Sequence, residues 1–200
     1  NQVYYFVIRA VDSNGAESSY SNEVNVTTLN NAPGVPSGLS TGTVTGTGTV
    51  LSWTAATDPD GDTVSYKIYR STVSGSGYSL AGNSTGTSYT ATGLTGNRTY
   101  YFIVRAIDSH SAESGISNEA SSTTLNNPPD VPLGISTGSV TGTTVNLSWT
   151  AATDPDGDAI SSYNIYRSTT SGGGYSLTGN TTGTSYTATG LTGNRTYYFV

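Results

Sequence analysis

The twelve residues Leu51–Asp62, Leu-Ser-Trp-Thr-Ala-Ala-Thr-Asp-Pro-Asp-Gly-Asp, return unchanged as Leu147–Asp158, an offset of 96. The same offset carries Tyr4-Tyr5-Phe6-Val7 onto Tyr100-Tyr101-Phe102-Ile103. One residue is gained where Ser161-Ser162 stands for Ser65, so Tyr100 corresponds to Tyr197 at an offset of 97. Aligning 31–103 with 127–200 gives 57 identities in 73 positions. A period of this length makes the chain a row of copies of one small domain. Each copy follows a proline-bearing segment, Asn30-Asn31-Ala32-Pro33-Gly34-Val35-Pro36 or Asn126-Asn127-Pro128-Pro129-Asp130-Val131-Pro132. Proline restricts the backbone and offers no N–H to a sheet, so these segments are read as linkers. The division is then 1–30, the closing strands of one unit; 31–125, a whole unit; and 126–200, a unit without its last strands. On this reading the natural chain continues past both ends.

Within the whole unit apolar and polar residues alternate over short runs bounded by Gly, Asn and Pro, the pattern of strands with one buried face. The expected inward sets are Leu51, Trp53 and Ala55; Tyr66 and Ile68; Tyr89 and Ala91; and Tyr100, Phe102, Val104 and Ala106. In the next unit they are Val145, Leu147 and Trp149, then Tyr163, Ile165, Tyr186, Ala188, Tyr197 and Phe199. Seven or so strands in about 95 residues predict an all-β fold of tandem antiparallel seven-stranded β-sandwiches of immunoglobulin-like type.

Composition narrows the function. There are 35 Thr, 29 Ser and 25 Gly, yet 15 Tyr and 2 Trp are kept, which disordered chains lose. No Cys and a single His, His110, exclude a disulfide framework, a histidine metal cluster and a repeated Ser-His-Asp arrangement. The net charge of -6 repels phosphate backbones and anionic membranes, and no apolar run is long enough to span a bilayer.

Val35-Pro36-Ser37-Gly38-Leu39, the Trp53 strand, Tyr66-Lys67-Ile68-Tyr69-Arg70 and Gly93-Leu94-Thr95-Gly96-Asn97-Arg98-Thr99-Tyr100, with Phe102, Val104, Ala106 and Asp108 after it, together resemble the fibronectin type III family. The resemblance covers the chain as part, whole and part of successive domains. It implies that Tyr100 and Tyr197, each six residues after a Leu, form the family's tyrosine corner, with Tyr4 at the matching place in the tail. The family's Arg-Gly-Asp cell-binding signal is absent, so integrin recognition is not carried over. Such domains also serve as spacers and binding modules in secreted bacterial proteins.

Six of the 13 acids fall in two copies of one loop: Asp58, Asp60 and Asp62, and Asp154, Asp156 and Asp158. Carboxylates at alternate positions can converge on a hard cation, and Gly61 or Gly157 lets the loop bend. Calcium is thus the one cofactor the sequence raises. The plainer reading is Pro-Asp-Gly turn chemistry on a solvated loop. Asn25, Asn83, Asn97, Asn146, Asn180 and Asn194 begin Asn-x-Ser/Thr sequons, candidate N-glycan acceptors in a composition that generates sequons by chance. The Gly-rich pieces Ser74–Gly77 and Ser171–Gly174 lack a following Lys and helix and read as flexible turns. Tyr5, Tyr101 and Tyr198 should point outward beside Tyr69 or Tyr166, either to bind glycan rings or to stabilise the sheet.

No residue set makes an active site, so the chain reads as non-enzymatic. The first reading is an extracellular or cell-surface repeat protein forming a stalk, fibre or filament, or displaying an adhesive element. Its partners would be neighbouring copies of the domain or chain, and a glycan or cell-surface ligand. The second is a spacer or carbohydrate-binding region of a secreted polysaccharide hydrolase. Residues 1–30 also supply the strands that 126–200 lacks, so strand exchange between molecules stands beside simple truncation as an account of the ends.

Overall fold

The computed structural model describes residues 2–200, and every regular element among them is a β-strand. The chain forms two compact units. One takes residues up to 94 with 98–124, the other 95–97 with 125–200.

The first unit opens with a hairpin, β1 (Val3–Phe6) and β2 (Val24–Thr27), in antiparallel register with Val3 opposite Thr27. Its sandwich follows as β3 (Ser37–Val44), β4 (Thr49–Thr54), β5 (Ser65–Ser71), β6 (Ser79–Ser84), β7 (Ser88–Ala91), β8 (Thr99–Ile107) and β9 (Ala120–Thr123). These make a sheet β3-β4-β7 and a facing sheet β6-β5-β8-β9. Alternation along β4 buries Thr49, Leu51 and Trp53 and exposes the residues between them. Leu39, Tyr66, Ile68, Ala91, Leu94, Tyr100, Phe102, Val104 and Ala106 complete the core. Burying each large side chain here contributes about 1.5–3 kcal/mol. Ala55 departs from the expected inward set: β4 ends at Thr54, the alternation ends with it, and Ala55 is exposed while Ala56 packs against the core.

The second unit contains β10 (Leu133–Val140), β11 (Val145–Thr150), β12 (Tyr163–Ser168), β13 (Ser176–Thr181), β14 (Ser185–Ala188) and β15 (Tyr198–Phe199). Its sheets are β10-β11-β14 and β13-β12-β15. The buried core shrinks to Val145, Leu147, Ile165 and Ala188, with Trp149, Tyr186, Leu191 and Phe199 only partly covered. The extra residue at Ser161-Ser162 is absorbed in the loop before β12, so Trp149 meets Tyr163 edge to face at 5.4 Å, as Trp53 meets Tyr66 at 5.3 Å.

Candidate functional site

The two acidic loops fold by the same local rule. Asp58 Oδ1 accepts hydrogen bonds from the backbone N–H of Asp60 at 2.8 Å and of Asp62 at 3.3 Å, while Gly61 takes a φ of +78° that favours glycine. Asp154 Oδ1 does the same for Asp156 and Asp158, with Gly157 at +80°.

The middle aspartates face the linkers. Asp60 accepts the backbone N–H of Asn31 at 2.6 Å and its side-chain amide at 2.9 Å. Asp156 accepts the same pair from Asn127, at 2.7 and 2.8 Å, and the N–H of Gly96 at 2.8 Å. Asn31's backbone bond, then its amide, hold the Asp60 carboxyl below the usual range; Asn127 acts likewise on Asp156. Hydrogen bonds to a charged acceptor are stronger than neutral ones. Each therefore fastens the start of a unit to its own loop.

Carboxylate oxygens close enough to share a cation fall into two groups, each within 4.8 Å: Asp58, Asp62 and Asp108 in the first unit, and Asp154, Asp156 and Asp158 in the second. The six aspartates singled out by sequence thus do not form two equal triads. Asp60 is turned to Asn31, and Asp108 takes its place because β5 pairs with β8 and puts Ser65 opposite Ile107. Asp108 is buried, yet bonds from Asn30 Nδ2, Ala112 N–H and His110 N–H outweigh desolvation and lower its pKa. His110 Nδ1 lies 3.0 Å from Asp62 Oδ2, giving the lone histidine a carboxylate partner. Asp58 Oδ2 is buried without a hydrogen-bond partner.

The six sequon asparagines are all exposed. Asn97 and Asn194 have φ of 52° and 57° in the turn before the Tyr100 and Tyr197 strands. In the second unit Thr192 N–H donates to Tyr197 Oη at 3.0 Å. Tyr5 is exposed and Tyr101 half-buried. The Ser74–Gly77 turn, expected to be flexible, is tied down by Glu119: its carboxylate accepts from Ser74 Oγ at 2.7 Å, Gly75 N–H at 2.8 Å and the Tyr78 hydroxyl. Burial, then the Glu119 carboxylate, push the Tyr78 hydroxyl to about 12. Three strands, β6, β7 and β8, separate Glu119 from that turn along the chain, so no local pattern announces it.

The model of the fibronectin type III domain matches residues 34–123 and again 128–200. The chain belongs to the fibronectin type III family. Relatives from Cellulomonas fimi include an exoglucanase B, 33% identical across 98% of this chain, and an exoglucanase A, 45% identical across 70% of it. A chitinase A1 from Niallia circulans is 33% identical across 84%. The chain spans only 18%, 16% and 23% of the length of these three relatives.

Proposed function

We propose that this segment is a non-catalytic extracellular spacer, a run of fibronectin type III units within a protein that degrades polysaccharides. The observation that carries the reading is that nearly the whole chain is matched by less than a fifth of an exoglucanase, so the matched part is an accessory stretch of that relative. The relatives are named for action on glucans and chitin, and this chain would work beside such chemistry without performing it. The stalk reading shares the mechanical role; the relatives supply its setting.

The geometry suits a spacer. Most of the acids with perturbed pKa values are engaged in holding turns, linkers or strands: Asp60 and Asp156 brace linkers, Glu119 braces a turn, and Glu113 joins Lys67 at 2.5 Å and Arg105 at 3.4 Å. Six exposed sequons would also place any N-glycan on the surface rather than in the core.

The test is retention of the purified chain on cellulose and on chitin, with release of reducing sugar followed in parallel. A spacer stays in solution and releases none. Retention would make the segment a carbohydrate-binding region instead, and sugar release would overturn the non-catalytic reading.

A further inference from the structure

We propose that the side-chain amide of Asn118 is a mechanical latch, joining the first and last strands of the complete sandwich so that tension along the chain is resisted in shear.

The latch begins with an irregularity in a sheet. β3 pairs with β4 at Ser37–Thr54 and again at Ser40–Ser52, with a register shift between the two. Gly38, at a φ of +64°, makes that bulge possible. Leu39 sits within the shift, its side chain in the core at 4% exposed and its backbone turned toward the other sheet. There the Leu39 N–H donates to Asn118 Oδ1 at 3.0 Å, and Asn118 Nδ2 donates to the Leu39 C=O at 2.9 Å. One side-chain amide, acceptor and donor together, thus stands in for the peptide of a neighbouring strand. Two residues on, Thr41 Oγ1 donates to the Ser121 C=O at 3.2 Å.

Asn118 is anchored by the stretch before it. Val104 N–H donates to Ser117 Oγ at 3.0 Å, and Ser117 N–H donates back to the Val104 C=O at 2.9 Å. Ala106 and Ser114 make the same exchange, with both bonds at 2.9 Å. These reciprocal bonds fix the stretch to β8, and β9 then resumes the pairing with Ala120 opposite Phe102. The amide therefore projects from a border that is already held.

Direction decides what the bridges can do. Leu39 meets Asn118 and Thr41 meets Ser121, so β3 and β9 run the same way. A pull on the flanking chain enters β3 at its N-terminal end and β9 at its C-terminal end, which slides one strand along the other. Bridges loaded by sliding share the force and fail together. Antiparallel strands pulled at the same points would peel, and their bonds would break one at a time. The partners are 79 and 80 residues apart in sequence, so losing these bridges opens the whole unit. The use of the latch rests on the spacer reading, since a spacer is pulled when the parts it joins move. Its strength is a property of the fold and is measured separately.

The chain has no cysteine, so pulling handles attach only where cysteines are introduced. Handles on Ala32→Cys and Asn126→Cys load β3 and β9 in shear in an optical trap. Handles on Ala32→Cys and Ile116→Cys, the latter at a 51% exposed position, draw the N-terminal ends of the two strands apart. Opening of this unit is recognised by a length gain of roughly 250–300 Å. At a fixed load the otherwise unaltered chain should unfold more slowly in shear than in peeling. Asn118→Ala should speed unfolding in shear by about tenfold or more, and in peeling by less than about threefold. Should Asn118→Ala fail to fold, Thr41→Val decides: a smaller acceleration confined to shear supports the latch, and none overturns it. Equal unfolding rates in the two directions overturn the proposal, as does an Asn118→Ala effect that is absent in shear or the same in both. Any of these failures leaves the spacer reading intact, because polysaccharide retention tests that separately, and retention would leave the latch intact.

Discussion

Tyr163 Oη accepts the backbone N–H of Ala152 at 3.0 Å, and Tyr66 Oη accepts that of Ala56 at the same distance, although the second unit carries one more residue in the intervening loop. The bond closes the chain between the Trp strand and the next, and it sets how the acidic loop leaves the sandwich. Tyr66→Phe keeps the ring against Trp53 and removes only the acceptor. Leaving that N–H without its partner should destabilise the first unit by about 1 kcal/mol, read as a lower denaturant midpoint with an unchanged slope.

Phe102 and Phe6 occupy the same place in the repeat but differ in burial. Phe102→Ala should cost about 3–5 kcal/mol through the lost contacts and the cavity left behind. Phe6→Ala, at a position that is exposed, should change stability by less than about 0.5 kcal/mol. Comparable losses from the two substitutions would mean that the hairpin is covered in solution.

The linker aspartates predict an acid-sensitive attachment of each linker to its own loop. Asp156 is held below its ordinary pKa first by the backbone N–H of Asn127, next by its amide, and also by Gly96. A carboxyl with a lowered folded pKa stabilises fully above its unfolded value of about 3.9 and loses that contribution as pH falls through the folded value. The unfolding midpoint should therefore drop below about pH 4. Asp156→Asn should flatten part of that drop, measured as thermal midpoint against pH, while the other lowered carboxyls keep the rest.

The carboxylate group of the first unit makes a separable prediction about calcium. Asp58 Oδ2 is buried without a partner, and Asp62 and Asp108 lie within reach of the same point. A site of millimolar affinity stabilises by about 1 kcal/mol at several times its dissociation constant. Millimolar Ca2+ should raise the thermal midpoint relative to EDTA. Asp58→Asn should abolish the rise, and Asp60→Asn, outside the group, should leave it in place. Equal midpoints with and without Ca2+ would reduce the loop to turn chemistry.

Much of the sandwich could be read from alternation and repetition because both are local. Leu51 and Trp53 face inward since side chains alternate on a strand, and the reading failed at Ala55 where the strand stops. The site was less legible for the opposite reason. Asp58, Asp60 and Asp62 look equivalent in one dimension, but the turn aims Asp60 at Asn31, and a strand pairing brings in Asp108 from the far end of β8. Glu119 escaped notice because its work lies in a turn on a distant part of the chain.

The serines that bond β8 have a consequence for a chain whose neighbouring domains are so alike in sequence. Adjacent near-identical domains are prone to misassembly, one domain borrowing a strand from the next as it folds. Ser114 and Ser117 are only 8 and 13 residues from the amides they satisfy, so this edge can close while its own domain is still emerging. Early closure by a nearby hydroxyl would keep each copy's outer border from being copied onto its neighbour, letting duplication lengthen the row without tangling it.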